Sequence, residues 1–296
     1  MNLRVLVLGA SGQLGSRLAE AMEELGFYVQ RVSTSQDNKA FLSWSHVFNS
    51  RFQERFDVVI NSASPNSAYA ENDSRGFCNW MAAHGRQLIN LATKVNARQI
   101  VSVSTTRVYG STPRVECVES SAVQVTASPY ANGHLELESI LLEDNRTAIL
   151  RVANSFGPAG MFGKLDNALL KNQLASSVSP NSSHFKLHSP EAWKDFVTAS
   201  DVVRAAGFIV KRCIPGIFNV SSGKLTNLGE WADLVTCPAH LRASRWQQIK
   251  LAQNERDDPF SFSNRKLIKE GFVFENEVAR ELDSLIISLQ GERSIP

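Results

Sequence analysis

The sequence predicts an α/β protein with a doubly wound parallel sheet and a smaller C-terminal domain. Three observations predict this fold: an apolar run that ends in spaced glycines at residues 3–15, an alternation of apolar runs with helical patterns over the first third of the chain, and a composition typical of a globular protein, with 43% hydrophobic and 20% charged residues. Alternating strands and helices require a parallel sheet covered on both faces. A length of 296 residues fits one large unit or two unequal domains.

The first strand and its loop read LRVLVLGASGQLG, from Leu3 to Gly15. The apolar run suits a strand that is buried on both faces, and the apolar residues that follow the glycines recur at helical spacing. Glycines between a strand and a helix allow a tight turn and let a pyrophosphate approach the N–H groups that open the helix. The stretch therefore predicts a dinucleotide site. The predicted contacts are Gly9, Ser11, Gly12, Gln13, Leu14 and Gly15.

The end of the second strand, predicted at 27–32, bears on the choice of cofactor. NAD-binding proteins of this fold carry an acidic residue there, whereas this chain has Ser33 and Thr34. We therefore expect NADP to bind at least as well as NAD. The nearby Asp37 leaves NAD as the alternative cofactor. The candidate contacts to a 2′-phosphate are Arg31, Lys39, Ser33 and Thr34.

The next elements continue the alternation. Residues 40–56 have no clear period and favour a short helix, and 57–61 (DVVIN) predicts a third buried strand. The small residues after it are expected to line the cofactor: Ser62, Ala63 and Ser64. A helical pattern that contains Leu88, Ile89, Leu91, Ala92 and Val95 follows, and 99–103 is predicted as a fourth strand.

Two motifs follow, SVSTTRVYG at 102–110 and SPYANGHLELESIL at 128–141. Together with the glycine loop they resemble the extended short-chain dehydrogenase/reductase family, whose best-known members are nucleotide-sugar epimerases, dehydratases and reductases. Four later segments are also similar to the family: LRVANSFGP (150–158), KDFVTASDVVRA (194–205), GIFNVSSG (216–223) and FSNRKLIKEGFVFE (262–275).

The resemblance implies a domain organisation. A Rossmann domain that binds NAD or NADP would span residues 1–155, and residues 195–222 would return to it. The substrate domain would consist of residues 156–194 and 223–296. Family analogy also implies a homodimer formed through two helices of each subunit.

The resemblance implies three catalytic residues, Tyr130, Thr105 and His134. Tyr130 would exchange a proton with the substrate, and Thr105 would hydrogen-bond the same oxygen. The family has a lysine where this chain has His134, and that lysine both lowers the phenol pKa and holds the nicotinamide ribose. A neutral His134 would supply no such charge, and we expect it to hydrogen-bond the ribose. If His134 also acts partly as a cation, its protonation near the ordinary pKa of about 6.5 would lower the pKa of the phenol. Oxidation of the substrate needs Tyr130 as a phenolate, whereas reduction of a ketone needs only the neutral phenol. The replacement of the lysine by His134 therefore favours reduction.

Other family positions limit the reaction and indicate the substrate. Dehydratases carry an acidic pair after the threonine, and this chain has Thr106 and Arg107, so epimerisation or 4-keto reduction of a nucleotide-linked sugar is expected. The helix before the fourth strand has Ala82 where the family commonly has an asparagine, so no ordered proton relay is expected through it. The expected substrate contacts are Thr106, Asn154 and Arg256.

Composition argues against several other classes of protein. The net charge of +2 and the absence of a Lys/Arg cluster give no sign of a nucleic-acid partner, and no apolar run is long enough for a membrane span. The N-terminus has no basic region with a cleavage site, so a cytoplasmic protein is expected. The four scattered cysteines predict free thiols, and the pair His184 and His188 lacks a metal-binding motif, so no metal is expected.

The rival hypothesis is a dinucleotide-binding sensor or scaffold without turnover, which kept the glycine loop and lost the lysine.

Overall fold

The computed structural model describes residues 3–34, 41–65, 67–110, 116–123, 125–158, 190–254 and 261–291. Its strands are β1 (Arg4–Leu8), β2 (Tyr28–Ser33), β3 (Leu42–Ser43), β4 (Val58–Asn61), β5 (Gln99–Thr105), β6 (Thr147–Val152), β7 (Asn154–Phe156), β8 (Trp193–Thr198), β9 (Gly216–Val220) and β10 (Leu225–Asn227). Its α-helices are α1 (Gln13–Glu24), α2 (Trp44–Val47), α3 (Ser67–Asn72), α4 (Ser74–Lys94), α5 (Pro129–Leu141), α6 (Ala199–Arg212), α7 (Leu228–Thr236), α8 (Ala239–Asn254), α9 (Arg265–Lys269) and α10 (Val278–Gly291). A 3₁₀ helix spans Thr106–Tyr109.

The main sheet has seven parallel strands in the order β3-β2-β1-β4-β5-β6-β9. From β1 the chain first builds outward through β2 and β3, and it then returns to add β4 on the other side of β1. In doubly wound sheets a ligand binds at such a reversal, beside the carboxyl ends of the strands. The predicted fold class is confirmed, and the reversal lies between the glycine loop and the end of β4.

Each face of the main sheet is covered by its own group of helices. In β1, Val5 and Val7 pack with α1 and α6, whereas Leu6 and Leu8 pack with α4 and α5 on the opposite face. All four side chains have no solvent-exposed surface. Side chains alternate between the faces of a strand, so an unbroken apolar run is what burial on both faces requires.

Two strands are longer than predicted at their carboxyl ends. β2 ends at Ser33 instead of residue 32, and β5 ends at Thr105 instead of residue 103. Both extensions carry polar side chains, which the apolar pattern could not assign to a buried strand. The extensions put Ser33 and Thr105 at the edge of the sheet where a ligand would bind.

A second sheet of three strands has the order β10-β8-β7. Its own hydrophobic cluster centres on Trp231, whose ring stacks on Phe196 at 3.9 Å between ring centroids. Within the segment 195–222, α6 and β9 join the main sheet and its core, while β8 belongs to the second sheet. Leu267 and Phe272 of the C-terminal segment also pack in the core of the main sheet.

No helix in the part of the chain that the structure describes combines the length and the hydrophobicity that crossing a bilayer requires.

Candidate active site

The glycine loop is a close-packed turn between β1 and α1. Gly9 has a left-handed φ of +78°, and a Cβ there would lie 2.8 Å from the backbone nitrogen of Ala63. A Cβ on Gly15 would lie 2.1 Å from the carbonyl oxygen of Gly9. No side chain caps α1 at Gly12, and Ser11, Gly12 and Gln13 are exposed while Leu14 is half-buried. The N-terminus of α1 is therefore open to an anionic ligand.

The end of β2 borders this loop. The hydroxyls of Ser11 and Ser33 are 2.6 Å apart, Ser33 is buried, and Thr34 is exposed. Arg31, a candidate contact to a 2′-phosphate, is instead bonded to Glu23, with its Nη2 2.8 Å from Oε2. The other two residues considered there, Lys39 and Asp37, lie outside the described residues.

The loop after β4 contacts the glycine loop from the other side. The Ser62 hydroxyl donates to the carbonyl oxygen of Leu8 at 3.0 Å, and the N–H of Ala63 donates to Asn61 Oδ1 at 3.2 Å. Ser64 Oγ lies 3.8 Å from the sulfur of Met81 in α4. Two of the three small residues predicted to line the cofactor, Ser62 and Ala63, thus lie against the glycine loop, whereas Ser64 lies against α4.

Asn61 and His84 form a support for this loop that the sequence analysis missed. His84 Nε2 donates to Asn61 Oδ1 at 2.9 Å, and Asn61 Nδ2 donates to Ser102 Oγ in β5 at 3.1 Å. Trp44 and Trp80 enclose the His84 ring, and burial lowers the pKa of His84 to about 3. In the sequence, Asn61 is a polar residue at the end of an apolar strand, and this was the available signal for the contact. Its partner His84 lies in α4, which is a separate element.

Tyr130 lies in the first turn of α5. The turn begins with Ser128 as N-cap, whose hydroxyl accepts from the N–H of Ala131 at 3.4 Å, and with Pro129 at the first helical position. The half-buried phenol ring stacks on Phe77 at 5.9 Å and meets the His134 ring edge-on at 4.6 Å between centroids. Burial raises the pKa of Tyr130, and the positive charge of Arg107 acts in the opposite direction.

Thr105 is the last residue of β5 and precedes the 3₁₀ helix that packs against α5. Its hydroxyl oxygen accepts from the N–H of Arg107 at 3.2 Å, which leaves the hydroxyl proton for donation. The next residue, Thr106, is only 4% exposed. Asn154, a predicted substrate contact, is half-buried and donates from Nδ2 to the carbonyl oxygen of Asp195 at 3.0 Å. Arg256 and the pair His184 and His188 lie outside the described residues.

His134 is buried directly below Tyr130, with 3% of its surface exposed. Neither ring nitrogen has a hydrogen-bond partner among the described residues. Burial, reinforced by the positive charge of Arg107, lowers the pKa of His134 to about 4. The pKa of His134 in the fold therefore lies below the ordinary value of about 6.5, because burial disfavours the charged imidazolium and no acidic group of the described residues pairs with it.

A buried ion pair fixes α5 to the sheet. Arg151 of β6 and Glu138 of α5 form a two-pronged contact, with Nη2 2.6 Å from Oε2 and Nε 3.1 Å from the same oxygen. Ser104 of β5 also donates to Glu138, and the Arg151 guanidinium lies over the ring of Tyr109 at 4.8 Å. This cluster, which the sequence analysis also missed, holds the helix that carries Tyr130 against β5 and β6.

Two observations fit a dinucleotide at this edge of the sheet. The loop at Gly9 and Gly15 has no room for side chains and leaves the N-terminus of α1 accessible. The two imidazole nitrogens of His134 are buried without partners, and the hydroxyls of a ribose could satisfy them. The residues present therefore suit a nicotinamide dinucleotide.

The chain also resembles known proteins. Residues 5–221 match the model of the NAD dependent epimerase/dehydratase family. A comparison with curated protein sequences finds no significant match.

Solved structures share the fold over nearly the whole chain. They include UDP-glucose 4-epimerase with UDP-glucose from Thermotoga maritima, with a TM-score of 0.77 at 18% identity, covering 99% of this chain and 100% of that chain. The Bordetella bronchiseptica enzyme WbmH in complex with NAD+ gives 0.75 at 19% identity, covering 98% and 99%. RMD from Pseudomonas aeruginosa complexed with NADPH gives 0.75 at 17% identity, covering 96% and 99%.

Proposed function

Because the chain belongs to the NAD dependent epimerase/dehydratase family, we propose that it is an NAD(P)-dependent oxidoreductase acting on a nucleotide-linked sugar, by 4-keto reduction or epimerisation. The observation that carries this proposal is the position of the Tyr130 phenol. Its ring centroid lies 5.8 Å from the guanidinium carbon of Arg107, in the 3₁₀ helix that directly follows Thr105 at the carboxyl end of β5, and this edge of the sheet also carries the glycine loop. Similar structures with UDP-glucose, NAD+ or NADPH bound support the substrate and cofactor classes.

The proposed roles follow from hydrogen-bonding chemistry. A bound nicotinamide dinucleotide supplies hydride transfer to or from the sugar carbon. In a reduction, the Tyr130 phenol gives its proton to the carbonyl oxygen, and the Thr105 hydroxyl donates a hydrogen bond to the same oxygen. In the reverse direction a Tyr130 phenolate accepts the proton of the sugar hydroxyl. His134, as a neutral imidazole, hydrogen-bonds the ribose.

The protonation state of Tyr130 favours the reductive direction. Burial raises the pKa of the phenol, so the proton-donating form dominates at neutral pH. A ketone reduction needs this form, whereas the oxidation that begins an epimerisation needs the phenolate. We therefore rank 4-keto reduction ahead of epimerisation.

The second candidate function is a dinucleotide-binding sensor or scaffold without turnover. The observation that favours it is the neutral, buried His134 at the position where the family has a lysine. Such a protein would bind the cofactor through the glycine loop and bind no sugar productively.

The test begins with thermal denaturation in the presence of NAD(H), NADP(H) and a panel of UDP-, dTDP- and GDP-sugars. A ligand that binds only the folded protein raises its stability by mass action. The nucleotide sugar that stabilises the protein is then assayed for turnover with wild type, Tyr130→Phe and Thr105→Val. Tyr130→Phe should bind the cofactor normally and lose turnover. Cofactor binding without turnover of any tested sugar in the wild type would favour the sensor.

We also propose that the protein is a cytoplasmic homodimer. Family analogy supports the dimer, and light scattering coupled to size-exclusion chromatography tests it. A monomer at micromolar concentration would contradict it.

A further inference from the structure

A tyrosine that must ionise during a reaction needs a positive charge nearby. Aromatic and charged groups that lie against the Tyr130 ring include Phe77 from α4, His134 from α5 and Arg107 from the 3₁₀ helix. Of these only Arg107 and His134 can carry a positive charge. The guanidinium carbon of Arg107 lies 5.8 Å from the centroid of the Tyr130 ring.

His134 is poorly suited to this role. Its ring is almost completely buried, and no acidic group of the described residues pairs with it. Protonation would place a second positive charge close to the guanidinium of Arg107, which already disfavours the imidazolium. At neutral pH the histidine is therefore uncharged, and its two ring nitrogens remain available to hydrogen-bond a ligand.

Arg107 has the properties that the role requires. Its side chain is exposed and makes no hydrogen bond or ion pair within the described part of the chain, so its charge is not neutralised by a protein carboxylate. A guanidinium stays protonated at every pH at which the protein is folded. The backbone of Arg107 is held at both ends, because its N–H donates to Thr105 Oγ1 at 3.2 Å and its carbonyl accepts from Gly110 at 3.0 Å.

We propose that Arg107 is the positioning cation for Tyr130, which stabilises the phenolate from the strand side of the site in place of a cation on α5, while His134 remains a neutral ribose ligand. This inference rests on the proposed function of Tyr130 as acid and base. It assigns the charge to a residue of the 3₁₀ helix that follows β5, whereas the lysine of the family would lie on α5 itself. In the sequence analysis Arg107 entered only as a residue that argues against dehydration. The electrostatic and ribose-binding roles of a single lysine are thereby divided between two residues.

The test measures the ionisation of Tyr130 directly and needs no substrate. The chain has 4 tyrosines, so the titration of Tyr130 is obtained from the ultraviolet tyrosinate signal of each protein minus that of its Tyr130→Phe counterpart. Arg107→Gln should weaken the ionisation of Tyr130 about tenfold, which is a rise of about one unit in its pKa. Arg107→Lys should restore most of the effect, because it returns the charge.

Two controls separate charge from structure. Arg98→Gln removes an exposed arginine just before the opposite end of the same strand, β5, about 20 Å away by the rise of a strand, and should leave the pKa of Tyr130 unchanged. His134→Gln should change the pKa less than Arg107→Gln does. Circular dichroism spectra taken over the titration range show whether each variant stays folded.

The proposal is overturned if Arg107→Gln leaves the pKa of Tyr130 within experimental error of wild type, or if His134→Gln has the larger effect. Absence of turnover in the wild-type protein would contradict the proposed function and would leave this titration interpretable. If turnover is found, the pH profile of sugar oxidation should move upward in Arg107→Gln by the same amount as the pKa of Tyr130.

Discussion

The hydroxyl of Ser11 in the glycine loop lies 2.6 Å from the hydroxyl of Ser33 at the end of β2. This contact joins the loop that would hold a pyrophosphate to the residue that would face the adenosine ribose. Both side chains are small and neutral, and the exposed Thr34 follows. An acidic side chain at this point would repel a 2′-phosphate, and the described residues supply none there.

This pair predicts the cofactor preference. NADP(H) should bind at least as tightly as NAD(H), and Ser33→Asp should shift the preference toward NAD(H) because it adds a negative charge near the 2′ position. Ser33→Ala, which removes the hydrogen bond without adding charge, is the matched control. Dissociation constants measured by titration calorimetry test this. A wild-type preference for NAD(H) of tenfold or more, about 1.4 kcal/mol, would refute the prediction.

A substitution at Gly12 separates cofactor binding from folding. Its backbone has an ordinary φ of −77°, and a Cβ there would lie 3.2 Å from the Gly9 carbonyl oxygen, so alanine fits with a small shift. Gly12→Val should abolish dinucleotide binding and leave the circular dichroism spectrum unchanged, and Gly12→Ala should have a smaller effect. Gly15→Ala should instead destabilise the fold, because its Cβ would lie 2.1 Å from the same oxygen. Unchanged affinity in Gly12→Val would argue against a pyrophosphate at this loop.

The buried His134 predicts a pH dependence of stability. Its pKa in the folded protein, about 4, is below the ordinary value of 6.5. As the pH falls below 6.5, His134 is therefore protonated in the unfolded chain before it is protonated in the folded protein. The contribution of His134 to stability is therefore complete above pH 6.5 and is lost as the pH falls toward 4. Between pH 7 and pH 5 the loss should be about 2 kcal/mol.

His134→Leu removes no hydrogen bond of the described structure. Between pH 7 and pH 5 its free energy of unfolding, measured by urea denaturation, should fall by about 2 kcal/mol less than that of the wild type. His240→Gln changes an exposed histidine and is the control. Equal losses in wild type and His134→Leu would show that His134 is not held neutral in the fold.

The ion pair between Glu138 and Arg151 should be essential for the position of α5. Glu138→Gln leaves the guanidinium buried without a carboxylate and should reduce the free energy of unfolding by about 3 to 5 kcal/mol. The double variant Glu138→Leu/Arg151→Met should be more stable than the single variant, because no buried charge is left unpaired. Removing the exposed pair Arg4–Glu54, whose side chains are 43% and 46% accessible, should cost less than about 1 kcal/mol. Chemical denaturation of the four proteins measures these differences, and a cost for Glu138→Gln as small as that of the exposed pair would contradict the prediction.

Local patterns in the sequence were sufficient to predict the fold and led to the prediction of where the site lies. The spacing of Gly9, Gly12 and Gly15, the apolar run of β1, and the repeated alternation of strand and helix patterns all operate within a few residues. The motif at 128–141 is likewise a continuous segment, and in the structure it forms the helix that carries Tyr130. Such features depend on backbone conformation and side-chain period, which are properties of short segments.

Which side chains at the site carry a charge depends on the tertiary structure alone. The protonation of His134 depends on burial by neighbouring elements and on Arg107, which is distant in sequence. The contacts of Asn61 with His84 and of Glu138 with Arg151 likewise join separate elements of the fold. The sequence shows that a lysine is absent after Tyr130, but not which cation approaches the phenol. That depends on desolvation and on distances between side chains from different segments, and both arise only when the segments pack.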